Sequence, residues 1–239
     1  MLTKTRAVVL RSIKYGEQSL IVDLFTQYCG RLSFVVSIPK SSRAKMKKQF
    51  FQPSTILEIE FDYRSRLSLQ KIKSASIAMP LVSVMSNPFK LSIALFLCEF
   101  LAYATKDEQQ DTPLYNYIES GMMWLEKTKV GFANFHVVFL ARLTLFLGFC
   151  PNLESFGPYF DLRGGCFVDS RPLHPDFLEG GESDFVASLM RMDYATMHVL
   201  KLNRSQRWRC LEAILKFYQL HLPDFPEPKS MGVLRELFD

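Results

Sequence analysis

Leu57-Glu58-Ile59-Glu60-Phe61-Asp62-Tyr63 alternates apolar and acidic side chains without a break. A period of two puts Leu57, Ile59, Phe61 and Tyr63 on one face of an extended strand and the three acids on the other. Upstream, Thr5 to Ile13 is rich in β-branched residues, and Ser19 to Thr26 forms a second apolar run that ends at Tyr28-Cys29-Gly30-Arg31. Gly30 permits a turn with positive φ there. Leu32 to Ile38 resumes the strand pattern until Pro39, which has no N–H for a ladder. Downstream, Arg64-Ser65-Arg66 leads into a fifth segment from Leu67 to about Ile72. Five short strands in so short a span predict a small closed barrel of the oligonucleotide-binding (OB) kind, with an SH3-like barrel as the competing architecture.

Past Pro80 the period changes to that of helices. Asn87-Pro88 reads as an N-cap with proline at the first helical position, opening a helix to about Ala104, and Thr112-Pro113 repeats the device to about Lys127. A third helix is predicted over 132–147 with Gly148 as its C-cap, and Asn203 caps a strong one through Leu222. Residues 152–181 are rich in glycine and proline and read as an irregular insert with room for a small hairpin. Helices return from about Ser183, and a last short one follows Ser230. The expected fold class is therefore α+β, with a five-stranded OB-like barrel over 1–78 and an all-α domain over 79–239.

The chain has 239 residues, of which 48% are hydrophobic, enough for a real core and against extended disorder. Its start, Met1-Leu2-Thr3-Lys4-Thr5-Arg6, does not read as a secretory leader, and the apolar stretch Phe132 to Phe149 carries Asn134, His136 and Arg142 in its middle. The expectation is a cytoplasmic, nucleoid-associated protein with no membrane span. Five irregularly spaced cysteines without a C-x-x-C pair predict reduced thiols.

Net charge is +5, but residues 1–75 hold 14 Lys/Arg against 5 Asp/Glu, while the remainder is net acidic. A cationic barrel suits a polyanion, because each Lys or Arg that neutralises a phosphate releases counterions. The densest segment is Lys40-Ser41-Ser42-Arg43-Ala44-Lys45-Met46-Lys47-Lys48, placed between the third and fourth strands. Its serines can contact phosphate oxygens without reading sequence. Arg6, Arg11, Lys14, Arg31, Arg64 and Arg66 extend the candidate DNA surface. Tyr15 and Tyr28, at turn-like positions, are the candidates for base stacking. The competing reading is a solvated charge run that only aids solubility.

Several stretches are together distinctive: Arg6-Ala7-Val8-Val9-Leu10, Tyr15-Gly16-Glu17-Gln18-Ser19-Leu20, Leu24-Phe25-Thr26 and Gly30-Arg31-Leu32. With Phe51-Gln52-Pro53, Leu97-Cys98-Glu99-Phe100-Leu101 and Leu147-Gly148-Phe149-Cys150-Pro151-Asn152-Leu153, they follow in order along nearly the whole chain. This pattern resembles the RecO family of bacterial DNA repair and recombination proteins. The resemblance implies a barrel that binds single- and double-stranded DNA and docks RecR. It also implies a helical domain that captures the C-terminal tail of single-stranded-DNA-binding protein, with RecA loading and strand annealing as outcomes. An acidic tail ending in an aromatic needs an apolar slot flanked by cations. Phe139, Arg142 and Leu143 are candidates for lining it, and Arg204 and Arg207 belong to a second cationic cluster.

Many RecO relatives carry a four-cysteine zinc module in the insert. Here Cys166 stands alone, with Cys150 before it and His174 near its end, so no metal and no other cofactor are expected. Enzyme readings find little footing. Neither a phosphate-binding glycine loop nor a G-x-S-x-G or H-E-x-x-H motif occurs. Glu58, Glu60 and Asp62 invite a metal-nuclease reading, but an alternating acidic face is ordinarily a solvated strand surface. The non-enzymatic alternative to a repair mediator is an RNA-binding or translation-linked adaptor on the same barrel.

Overall fold

The computed structural model describes residues 2–38, 46–106 and 108–237. Lys40, Arg43 and Lys45 lie outside the described residues. The chain forms two compact units, 1–127 and 128–239.

The first unit opens with five strands, β1 (Leu2–Tyr15), β2 (Ser19–Thr26), β3 (Gly30–Ser37), β4 (Ile56–Asp62) and β5 (Leu69–Met79). They close into a barrel in the order β1-β2-β3-β5-β4. β3 and β5 run parallel, Phe34 opposite Gln70, and every other pairing is antiparallel. This crossover is the Greek-key closure of the OB type, which decides against the SH3-like alternative. The alternation read in 57–63 holds: Leu57, Ile59 and Phe61 are buried with Ala7, Val9, Val22, Leu24 and Phe34 in one core. Val8 and Leu10, on the opposite face to Ala7 and Val9, are buried outside that core, and a bulge between Val9 and Arg11 shifts the register of β1 by one residue. Gly30 has φ +66°, and a Cβ there would meet the Gln109 backbone at 2.4 Å. Only glycine fits both demands.

Three helices complete this unit, α1 (Val82–Ser86), α2 (Pro88–Ala104) and α3 (Thr112–Lys127). The Asn87 side chain accepts hydrogen bonds from the Phe89 and Lys90 amides, the expected N-cap of α2. α2 packs along β1, and its Cys98 thiol reaches the Ser54 backbone. The anticipated division at 78/79 follows the end of β5 at Met79, whereas the break in contact falls at Lys127.

The second unit holds α4 (Phe135–Leu147), β6 (Tyr159–Asp161), β7 (Cys166–Val168), β8 (Phe177–Glu179), α5 (Gly181–Arg191), α6 (Arg204–His221) and α7 (Ser230–Leu237). α4 starts after a 3-10 turn over Phe132–Asn134 and ends at Gly148 with φ +79°. The insert is more regular than expected, since β6–β8 form a three-stranded sheet in the order β7-β6-β8. Strands of three residues are too short to show a period. Among the described residues, no helix is long and apolar enough to cross a membrane.

Candidate nucleic-acid interface

Cross-strand partners share a face, so the registers sort the barrel's charges into two sides. On one side, β1 presents Lys4 and Arg6 opposite Glu60 and Glu58 of β4. Lys4 Nζ lies 3.5 Å from Glu58 Oε1, and Lys73 of β5 lies 2.7 Å from Asp62 Oδ2. Arg6 reaches Glu119 of α3 at 3.1 Å, and Glu119 also accepts from the Tyr115 hydroxyl. The acidic stripe of β4 is thus matched by cations. Among the described residues no group of three or more His, Cys, Asp or Glu is placed to hold a metal ion.

The other side is built by the outer rows of β1, β2, β3 and the start of β5. One row joins Arg11, Asp23, Ser33 and Leu69, and the next joins Ile13, Ile21, Val35 and Lys71. In OB barrels this β2–β3 face, with the β1–β2 and β4–β5 loops at its margins, is the surface that receives oligonucleotides. Its centre is neutral. Arg31 Nη2 sits 3.1 Å from Asp23 Oδ2, with the side chains only 11% and 13% exposed, and Ser33 Oγ donates to Asp23 Oδ1 at 2.6 Å. Burial pulls the Asp23 carboxyl upward, but the Arg31 and Ser33 hydrogen bonds, with the Arg31 and Arg11 charges, hold it below the usual carboxylate range.

The margins are cationic. Arg11, Lys14, Arg64, Arg66 and Lys71 are exposed and form no ion pair with a described residue. Lys14 belongs to the row of Leu20 and Val36, so it projects from the opposite side of the β1–β2 hairpin to Tyr15. Lys47 and Lys48 are exposed where the basic stretch returns to the barrel. They are rooted by Phe51, 1% exposed, with Met46 and Phe50 packed against the same core. Of the predicted DNA-contact residues, the structure therefore leaves Arg11, Lys14, Lys47, Lys48, Arg64 and Arg66 available. It commits Arg6 and Arg31 to carboxylates. Lys71 was missed because a lone lysine inside a strand carries no signal of its own.

Against known proteins, residues 1–81 match the family model described as Recombination protein O N terminal, and residues 85–231 match Recombination protein O C terminal. The chain is 46% identical to a DNA repair protein RecO of Bacteroides fragilis and 45% identical to one of Phocaeicola vulgatus. A Flavobacterium johnsoniae protein of the same name is 33% identical. In each case the whole of both chains is covered. The chain belongs to the RecO family.

In this RecO chain, the residues suggested for a partner's tail are not gathered as expected. Phe139 and Leu143 are fully buried in the core of the second unit, and Arg142 donates to the Met192 carbonyl at 3.0 Å. They cannot line an open slot. Arg204 and Arg207 instead border a cavity of about 410 Å³ with Ser205, Trp208, Leu234 and Arg235. Arg235 lies over the Trp208 ring at 5.1 Å. Arg207 is braced by Asn134 Oδ1 at 2.9 Å and the Leu202 carbonyl at 3.1 Å. Trp208 and Arg235 escaped the sequence reading because they meet only when α6 and α7 pack.

Among the described residues of the insert, no group of three or more His, Cys, Asp or Glu is placed to hold a metal ion. Cys150 is exposed, Cys166 half-buried on β7, and His174 Nε2 is 3.4 Å from Asp161 Oδ1. These residues do not fit a zinc ion. The insert is held by Phe160, Leu162, Leu178 and Phe217 in an apolar cluster. Asp176 anchors it further, with Arg163 at 2.7 Å and Lys216 at 3.1 Å.

Proposed function

We propose that this chain is a DNA-repair mediator without catalytic activity of its own. In this reading the barrel binds single- and double-stranded DNA by its backbone and also docks RecR. The second unit captures the C-terminal tail of single-stranded-DNA-binding protein, and together they assist RecA loading and strand annealing in the cytoplasm, at the nucleoid. Family membership supports the class of function. The observation that carries the DNA surface is the sorting of barrel charge: cations on one side are matched by carboxylates, while those bordering the β2–β3 face form no ion pair with a described carboxylate. Phosphates are the natural counterion for the second set. For the tail, the Arg204–Arg235 cavity has the required chemistry, with guanidinium groups for carboxylates beside the half-buried Trp208 ring for an aromatic end.

Titrating labelled single strands and duplexes over a salt series tests the reading. Wild type should bind both, with affinity falling steeply as salt rises. Reversing Arg43, Lys45, Lys47 and Lys48 to Glu should weaken both at least about tenfold, with an unchanged circular dichroism spectrum. Undiminished affinity at low salt would remove the basic stretch from the interface. Preference for RNA over DNA in competition would favour the RNA-adaptor alternative instead.

A further inference from the structure

The β4–β5 connection is held in one shape by a buried side chain. Gln70 is 1% exposed, and its carboxamide is given over to the turn. Nε2 donates to the Arg64 carbonyl at 2.8 Å and the Leu67 carbonyl at 2.7 Å, while Oε1 accepts from the Arg64 amide at 3.1 Å. The Leu67 amide closes the turn on the Arg64 carbonyl at 3.0 Å. Just before it, the Tyr63 ring stands edge-on to Phe61 at 6.2 Å, and Phe61 stands edge-on to Phe34 at 5.0 Å. Phe61 and Phe34 are fully buried, yet Tyr63 keeps 38% of its surface exposed. An aromatic ladder thus runs from the barrel core to its rim and ends in an open ring. Arg64 and Arg66 follow it in the turn and are exposed, and Leu67 beside them is 47% exposed.

We propose that Tyr63–Leu67 is a preorganised stacking site for an unpaired nucleobase. Tyr63 is the platform, Arg64 and Arg66 hold the flanking phosphates, and Gln70 is the positioning residue. The inference rests on the nucleic-acid reading above and adds a preference within it. In a duplex the bases are already stacked and their faces hidden, so a protein ring at the rim gains nothing from them. A single strand offers free faces, and stacking is tolerant of sequence because every base has one. A ring braced by the core loses little freedom on binding, unlike a mobile surface tyrosine.

The test measures anisotropy of a labelled oligothymidine, the same strand with abasic sites, and a duplex of equal length, all with the full chain at one salt concentration. Tyr63→Ala should lower single-strand affinity by about 5- to 150-fold, leave the duplex within about twofold, and bind the abasic strand as wild type does. Tyr63→Phe should retain the wild-type preference, and Gln70→Leu should lose part of it without a change in salt slope. Arg64→Ala with Arg66→Ala should weaken both DNA forms and flatten the salt slope. Equal binding of normal and abasic strands by wild type would overturn the stacking site whatever the variants do, while leaving the DNA-binding reading intact. Failure of wild type to bind any of the three probes would bring down that reading as well.

Discussion

Arg31 and Arg66 carry the same side chain to opposite ends. Arg31 is laid along the outer face of β3 against Asp23, where both groups are largely removed from water. With 11% of its side chain exposed, the guanidinium faces Asp23 and not solvent, and its Nε is buried without a hydrogen-bond partner. Arg66, two residues into a fixed turn, is exposed with no carboxylate partner among the described residues. Arg31→Met should therefore act on stability. Removing one member of a buried pair leaves an uncompensated charge, at a cost of about 3 kcal/mol at neutral pH. Asp23 is held below its ordinary value in the native state. The unfolded chain then takes up a proton on acidification before the native state does. The stabilisation is full above about pH 4 and fades as pH falls through the native value. Urea midpoints between pH 3 and 7 should show this acid loss in wild type and a shallower one in Arg31→Met. A variant as stable as wild type would show that the pair is merely superficial.

Among the elements, the insert 152–181 shows how very short strands are held by what packs against them. Three strands of three residues each cannot stand alone. They hold because Phe160 of β6 meets Phe167 of β7 at 5.1 Å and Phe217 of α6 at 6.3 Å. Arg163 and Lys216 also converge on Asp176, and these hydrogen bonds keep its carboxyl below the usual range. Phe160→Ala should cost about 3–5 kcal/mol through the cavity it leaves. A strong chelator should leave the melting temperature of wild type where it was. A fall in melting temperature with chelator, restored by zinc, would contradict this account of the insert.

For the whole molecule, the break in contact at Lys127 has consequences for dissection. Val8, Leu10 and Phe25 are buried although they lie outside the barrel core, with α2 packed along β1 and Glu119 of α3 tied to Arg6. A fragment 1–127 should melt cooperatively and bind DNA, whereas 1–81, stripped of α2 and α3, should aggregate or melt early, as thermal denaturation of the two will tell. Stable folding of the shorter piece would return the boundary to the end of β5. The strands were legible because the period of two in Leu57 to Tyr63 and the turn glycine at Gly30 are local. The caps at Asn87 and Asn203 were legible for the same reason, since each bonds to amides two or three residues on. Other features could not be read this way. β5 runs to Met79, past the expected Ile72, because its partner β4 sets its length and two bulges absorb the mismatch. Sequence alone thus determined the barrel, the helices and a cationic N-terminal third, all consequences of periodicity, capping and composition along neighbouring residues. Only the tertiary structure decided which cations remain for a ligand. Arg6 meets Glu119 from 113 residues away, Arg31 meets Asp23 across a ladder, and whether a charge is neutralised depends on what folding brings within a few ångströms of it.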